Sequence, residues 1–441
     1  MKYYCLMIGK ARSTWGPISL CLTVLGSIAG SAVAASFEPD TVTFQAGNLV
    51  DKSILRGPNH TLRNKVINKG YMNNYVIDSP FGEFSVIGDW AAVNMVHEID
   101  AIAELKKMSK TGVLAQSAAE AAQKPVNAAK QLVEQPAETV KGIPAGVGRL
   151  FSRAADVVGE AAQKTSEAAK SEGGDGSSTT DATTDAGTEL AKGYLGVGAA
   201  HRKLARELEV DPYSTNKVLQ AELASMARYA AAGSFGTKLI MPSIPGASVV
   251  ANVNDMVWNL NARDLKLRNE KSLAAIGADK ALIERFIENP HYTPTDQTRV
   301  VSSLEALAGT KGRAIAVDKA AAAKTRQEAL VYARMTAMLA SYHQGRSPII
   351  QITDTGRLLP LATSKAGPKV LAAPVDHVSW TRSTADSVSA FAKVAGNQAG
   401  GRELELWVQG SVSATARKEL GALGWTVFDR AFMRLEKEAK K

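Results

Sequence analysis

Four side chains near the C-terminal end of the chain have the types and spacing to act together: Asp376, His377, Ser411 and Ser413. Gly410-Ser411-Val412-Ser413 follows a strand-like run and opens a helix. Backbone amides at such a helix start can hold an anion, helped by the helix dipole. Thr381 to Ser383 forms a second strand-to-helix junction, with Asp376 and His377 just before it. If the two strands are neighbours, these groups converge at the carboxyl edge of a sheet, where ligands of α/β proteins bind. Plain helix capping by Ser383 and Ser413, worth about 1 kcal/mol each, accounts for the same residues. No Gly-rich phosphate loop accompanies them.

Other chemical signals stop short of a site. His97-Glu98 begins like a zinc-protease helix motif, but residue 101 is Ala where a second ligand is needed, so the two read as a helix surface pair. His60, His97, His201, His291, His343 and His377 fall in different segments with no ligand spacing. Ala232-Gly233-Ser234-Phe235-Gly236 resembles a nucleophile elbow, yet helical residues precede it where the elbow needs a strand. The loop from Asn289 to Asp296 could meet a ligand or partner, although turn chemistry explains most of its residues. The expectation is no cofactor and no metal.

The first residues set the compartment. Lys2, Lys10 and Arg12 precede an apolar run from Ile18 to Val33, and Ala32-Val33-Ala34 suits cleavage before Ala35. The run is shorter than the ~20 residues of a membrane span, which favours a cleaved secretory signal over a retained anchor. Both cysteines, Cys5 and Cys21, lie within it. The mature chain then has none, excluding disulfides, thiolate metal sites and cysteine nucleophiles. A bacterial periplasm is the expected location. Loss of the leader leaves 49 basic against 43 acidic residues, and the formal charge falls from +9 to +6. That is too small a surplus to argue nucleic-acid binding.

The elements that must position these groups follow from pattern. Tyr71 to Gly88 reads as a hairpin around Ser79-Pro80-Phe81-Gly82, feeding a helix that ends near Met108. Residues 35–70 otherwise read as irregular structure with short strands. Thr111 to Gly198 is Ala-rich, with Pro125, Pro136 and Pro144 separating short helices and a Gly/Ser/Thr/Asp linker from Ser171 to Thr188. Within it, Val147, Leu150, Phe151, Ala154, Val157 and Val158 form a stripe that could lie on a membrane, or pack on a neighbouring helix. The helical body follows, with Ala231 to Val253 as a buried loop with short helices and Arg313 to Tyr342 as one long helix. After Ser347, strands alternate with helices, implying at least one βαβ crossover; Ser383 opens the first helix and Ser413 the second.

The expected fold is therefore mixed and predominantly α. Its parts are a signal peptide (1–34), a small N-terminal β-hairpin/helix unit (35–110), Ala-rich short helices and linker (111–198), a helical body (199–345) and a C-terminal α+β domain (346–441). The expected role is a non-enzymatic periplasmic structural or interaction protein, partnered by another envelope protein or by itself, with peripheral membrane contact through residues 142–162 as a further mode. The rival is an enzyme or small-ligand binder using Asp376, His377, Ser411 and Ser413.

Overall fold

A computed structural model describes residues 37–110, 197–230, 247–399 and 403–439. The expected secretory leader with its cysteines, the Ala-rich stretch with the expected apolar stripe and linker, and the elbow-like pentapeptide lie outside the described residues. Among those described, no helix is long and apolar enough to cross a membrane.

The N-terminal segment forms a five-stranded antiparallel sheet: β1 (Thr41–Gln45), β2 (Thr61–Leu62), β3 (Lys65–Lys69), β4 (Met72–Ser79) and β5 (Gly82–Ile87). A short helix α1 (Lys52–Leu55) lies between β1 and β2. β4 is central, flanked by β5 on one edge and by β3 and β2 along the other. Alternation drives it: Val66, Tyr75 and Ile77 are buried, while Lys65, Ile67 and Lys69 face out. The β3–β4 link is only Gly70-Tyr71, both at positive φ (62° and 73°), as two-residue hairpin turns demand.

Helix α2 (Asp89–Lys110) serves two cores in succession. Ala92, Val96 and Ile99 pack under the sheet. Ala101, Ile102 and Leu105 pack on α3 (Ala199–Glu207) and α4 (Lys217–Ala230). Helices α5 (Ala247–Asn259), α6 (Ala262–Ile276), α7 (Lys280–Ile287), α8 (Pro294–Ala306), α9 (Arg313–Ala321) and α10 (Arg326–Gly345) complete the helical part. The expected single helix from Arg313 to Tyr342 is in fact two. Thr325 ends extended and caps α10 by accepting from the Glu328 amide.

The C-terminal strands β6 (Ile349–Thr353), β7 (Leu361–Ser364), β8 (Lys369–Ala373), β10 (Leu404–Val408) and β12 (Trp425–Phe428) form a mixed sheet in the order β12-β10-β8-β7-β6. β8, β10 and β12 are parallel, joined by crossover helices α11 (Arg382–Ala399) and α12 (Ala414–Ala422). β9 (His377–Val378) and β11 (Ser411–Val412) pair as a separate parallel two-stranded ribbon. The cap of α11 is Thr381, whose hydroxyl accepts from the Thr384 amide at 3.1 Å, and not Ser383 as expected. Helix α13 (Ala431–Ala439) closes the chain.

Both faces of the parallel strands are covered, so β10 reads as a continuous buried run, Leu-Glu-Leu-Trp-Val. Leu404, Leu406 and Val408 pack with Val388, Ala416 and Leu420 of the crossover helices. On the other face, Trp407, Val370 and Ala372 share one core with Tyr332, Met335, Met338 and Leu339 of α10 and with Phe432 of α13. Glu405 joins the layers: it accepts from Trp407 Nε1 (2.8 Å), Tyr342 Oη (3.1 Å) and an Arg346 terminal nitrogen (3.0 Å).

The fold class therefore differs from the expectation of a predominantly helical chain with a small hairpin at one end. Helix takes 53% and strand 20% of the described residues, distributed over three sheets. The N-terminal sheet escaped the sequence because β3, Lys-Val-Ile-Asn-Lys, is short and three of its five residues are lysine or asparagine.

Candidate functional site

Asp376 is the point where four segments meet. It follows β8 through Pro374 and Val375, and its own amide and that of His377 both donate to the Tyr71 carbonyl at 3.1 Å. Oδ2 accepts from the Asn73 amide (2.9 Å) and Oδ1 from the Asp89 amide (3.2 Å) at the start of α2. Its carbonyl accepts from the Ser411 amide (2.9 Å). The close crossing requires Gly410, since a Cβ there would stand 1.9 Å from the Asp376 carbonyl oxygen.

A second carboxyl lies beside it. Asp89 Oδ1 accepts from Tyr75 Oη (2.6 Å) and Asn73 Nδ2 (2.7 Å). Burial raises the pKa of both carboxyls, and the charge of Asp89 pushes Asp376 further; Arg334 works in the opposite direction. Burial likewise raises the Tyr75 hydroxyl, reinforced by Asp89.

The other three expected residues lie around this crossing in two separate arrangements. His377 and Ser411 are cross-strand partners in the β9–β11 ribbon, with Nδ1 2.7 Å from Oγ. The imidazole is buried with its ring edge-on to Phe44, and burial lowers its pKa while Glu38 opposes. Ser413 caps α12, accepting from the Ala416 amide at 3.0 Å, and donates to Glu38 Oε2 at 2.6 Å. Glu38 Oε2 also accepts from the Trp380 amide. The structure thus unites His377 with Ser411, sends the Asp376 carboxylate toward the N-terminal sheet, and gives Ser413 to a cap. Convergence at the carboxyl edge holds for the backbone but not for one open constellation of side chains.

The carboxyl ends of β8 and β10 do border a narrow cleft. Its walls are Trp90 and Met72 on the N-terminal side, Gln327, Val331 and Arg334 on α10, and Pro374, Asp376 and Gln409 after the strands. Arg334 is partly exposed there; Nε donates to Gln409 Oε1, and its guanidinium lies 5.2 Å from the Trp90 ring and 4.9 Å from Phe432. Arg299 approaches the same indole at 5.3 Å. Trp90 and Arg334 were absent from the sequence reading. One signal was available: Arg334 is the sole charged side chain between Ala329 and Tyr342.

Two other expected surfaces are interior. His97 and Glu98 are buried, not a surface pair: His97 Nε2 is 3.1 Å from the Leu208 carbonyl, and Glu98 accepts from Ser214 (2.7 Å), Asn216 (2.9 Å) and Asn94 (3.0 Å). In the 289–296 loop, Asn289 donates to the Ala321 and Ala323 carbonyls and Tyr292 to that of Ala320. Asp296 closes a capping box with Thr293 and pairs with Arg299 and Arg326. Burial works against its charge, yet the two guanidiniums hold its pKa below the usual range. Among the described residues, no three His, Cys, Asp or Glu side chains converge as metal ligands.

No family model, curated protein or solved structure matches this chain.

Proposed function

We propose that the protein is a non-enzymatic component of the bacterial periplasm that works through contacts with other envelope proteins. The observation that carries this reading is the use made of its chemical groups. Asp376 spends both carboxylate oxygens on the amides of Asn73 and Asp89, Ser413 on the Ala416 amide and Glu38, and Glu98 on the Ser214–Asn216 turn. These are joints between segments far apart in sequence, and a joint that reacted would loosen the fold. The secretory leader read from Lys2 to Ala34 supports the compartment.

The test is the native mass of the mature protein released gently from the cell envelope, with co-purifying species identified. A discrete complex larger than the monomer is expected. A monomer with nothing bound overturns the reading.

One observation favours a second reading, a serine hydrolase: the 2.7 Å contact between His377 Nδ1 and Ser411 Oγ. A fluorophosphonate probe that labels the intact protein, but not Ser411→Ala or His377→Gln, would establish it. An unlabelled Ser411 ends it.

A further inference from the structure

Arg334 has more donors than the fold uses. A guanidinium carries five N–H donors in a planar fork. Nε is satisfied by Gln409, and stacking on Trp90 and Phe432 fixes the plane without consuming a donor. The two terminal nitrogens form no hydrogen bond or ion pair among the described residues. Asp376 and Asp89 attract Arg334 from a distance. Both Asp376 oxygens and Asp89 Oδ1, however, already accept from Asn73, the Asp89 amide and Tyr75. Burial also raises the pKa of both carboxyls, which weakens their competition for the fork.

The fork therefore stands at the wall of a cleft with its strongest recognition geometry unused. A guanidinium fork is matched by a carboxylate, which it binds through two parallel N–H···O bonds. The neighbouring walls, Trp90, Val331 and Pro374, are apolar. The opening is narrow, so one carboxylate on an apolar stem fits better than a drug-sized molecule.

We propose that this cleft binds the chain-terminal carboxylate of a partner protein. The terminal nitrogens of Arg334 take its two oxygens, and Trp90 and Val331 pack its stem. This rests on the interaction reading above and names the chemistry of the contact.

The experiment is calorimetric titration of the intact mature protein with three probes: butyrate, a short apolar peptide with a free terminal carboxylate, and the same peptide amidated. The free-acid peptide is expected to bind about tenfold or more tightly than butyrate, and the amidated peptide not at all. Arg334→Gln should abolish binding, and Arg334→Lys should weaken it because a point charge cannot fork. Equal affinity for butyrate and peptide overturns the protein partner in favour of a free carboxylic acid. Equal binding of free and amidated peptide, or no heat with any probe, overturns the site, and these outcomes need no variant to fold. Envelope co-purification with Arg334→Gln separates the two readings. A partner retained by that variant removes the cleft from the contact but leaves the interaction reading standing. A native protein that emerges alone overturns the interaction reading, whatever the cleft binds.

Discussion

Gly410 and Glu98 show how much of this protein is decided by single atoms that the sequence does not advertise. At Gly410 the nearest obstacle to a side chain is backbone, the Asp376 carbonyl, which is itself fixed by the Ser411 amide. Neither strand can retreat without breaking a bond, so Gly410→Ala should destabilise the protein by about 3 kcal/mol, read as a lower denaturant midpoint at unchanged slope. Glu98 is a different case: burial pushes its pKa from the ordinary 4.5 up to about 7, against hydrogen bonds from Ser214, Asn216 and Asn94 that favour the charge. A raised carboxyl holds its proton in the folded state after the unfolded chain has released it. Stability therefore falls as pH rises from about 4.5 to about 7 and is flat above, a loss of roughly 3 kcal/mol from this group. Glu98→Gln has no proton to lose, so its stabilities at pH 5 and pH 7.5 should lie closer together than those of the parent by about 2 kcal/mol. An unchanged gap would assign the pH dependence to other acids. Glu98 read as a surface residue because two of its three partners stand 116 and 118 positions away, beyond any local pattern.

Elements were more legible than residues wherever a local device ends them. Asp279 caps α7, Thr293 closes a capping box on α8, Ser413 caps α12, and Gly424 turns the chain into β12 at φ 82°. Ser413 opens its helix where the sequence places it, because capping is written in neighbouring side chains. The break between α9 and α10 was missed for a physical reason: Ala320 to Lys324 is strongly helix-favouring, and propensity outweighed the single cap that interrupts it. That cap, Thr325 to the Glu328 amide, is exposed and has no tertiary role beyond setting where α10 begins. Thr325→Ala should cost about 1 kcal/mol in a denaturant titration, with far-ultraviolet circular dichroism preserved. A neutral result would mean that packing of Ala329, Tyr332 and Ala333, not the cap, sets the start of the helix. The β3–β4 turn was invisible for the opposite reason. Tyr at a left-handed position is against preference, and it is tolerated where the Tyr71 carbonyl is needed by the amides of Asp376 and His377.

At the scale of the whole molecule, the alternation of strands and helices after Ser347 reads as a self-sufficient domain, and the covering of its sheet argues otherwise. The described residues from Glu38 onward form one compact unit. The face of β8 and β10 that carries Val370, Ala372 and Trp407 is closed by α10, which precedes the first strand of that sheet. Trp407 stacks on Phe428 at 4.3 Å and meets Tyr342 edge-on at 5.4 Å, and Glu405 takes two of its three donors from Tyr342 and Arg346. A fragment spanning 347–441 keeps α11, α12 and α13 but loses both donors and the α10 side of the core. Exposing even three of those apolar side chains costs about 5 kcal/mol, comparable with the entire net stability of a small domain, before the unpaired Glu405 is counted. The fragment should therefore lack a cooperative unfolding transition. The full chain should lose tryptophan fluorescence and circular dichroism together in a single transition. A cooperative transition in the fragment would show that α11, α12 and α13 suffice, and the α10 contact would then be an interface between two folded bodies. If the fragment is unfolded while the intact chain melts as one, the Arg334 cleft is held by a continuous core running from α10 through β10. The geometry of any carboxylate bound there would then be set by packing on both sides of the sheet.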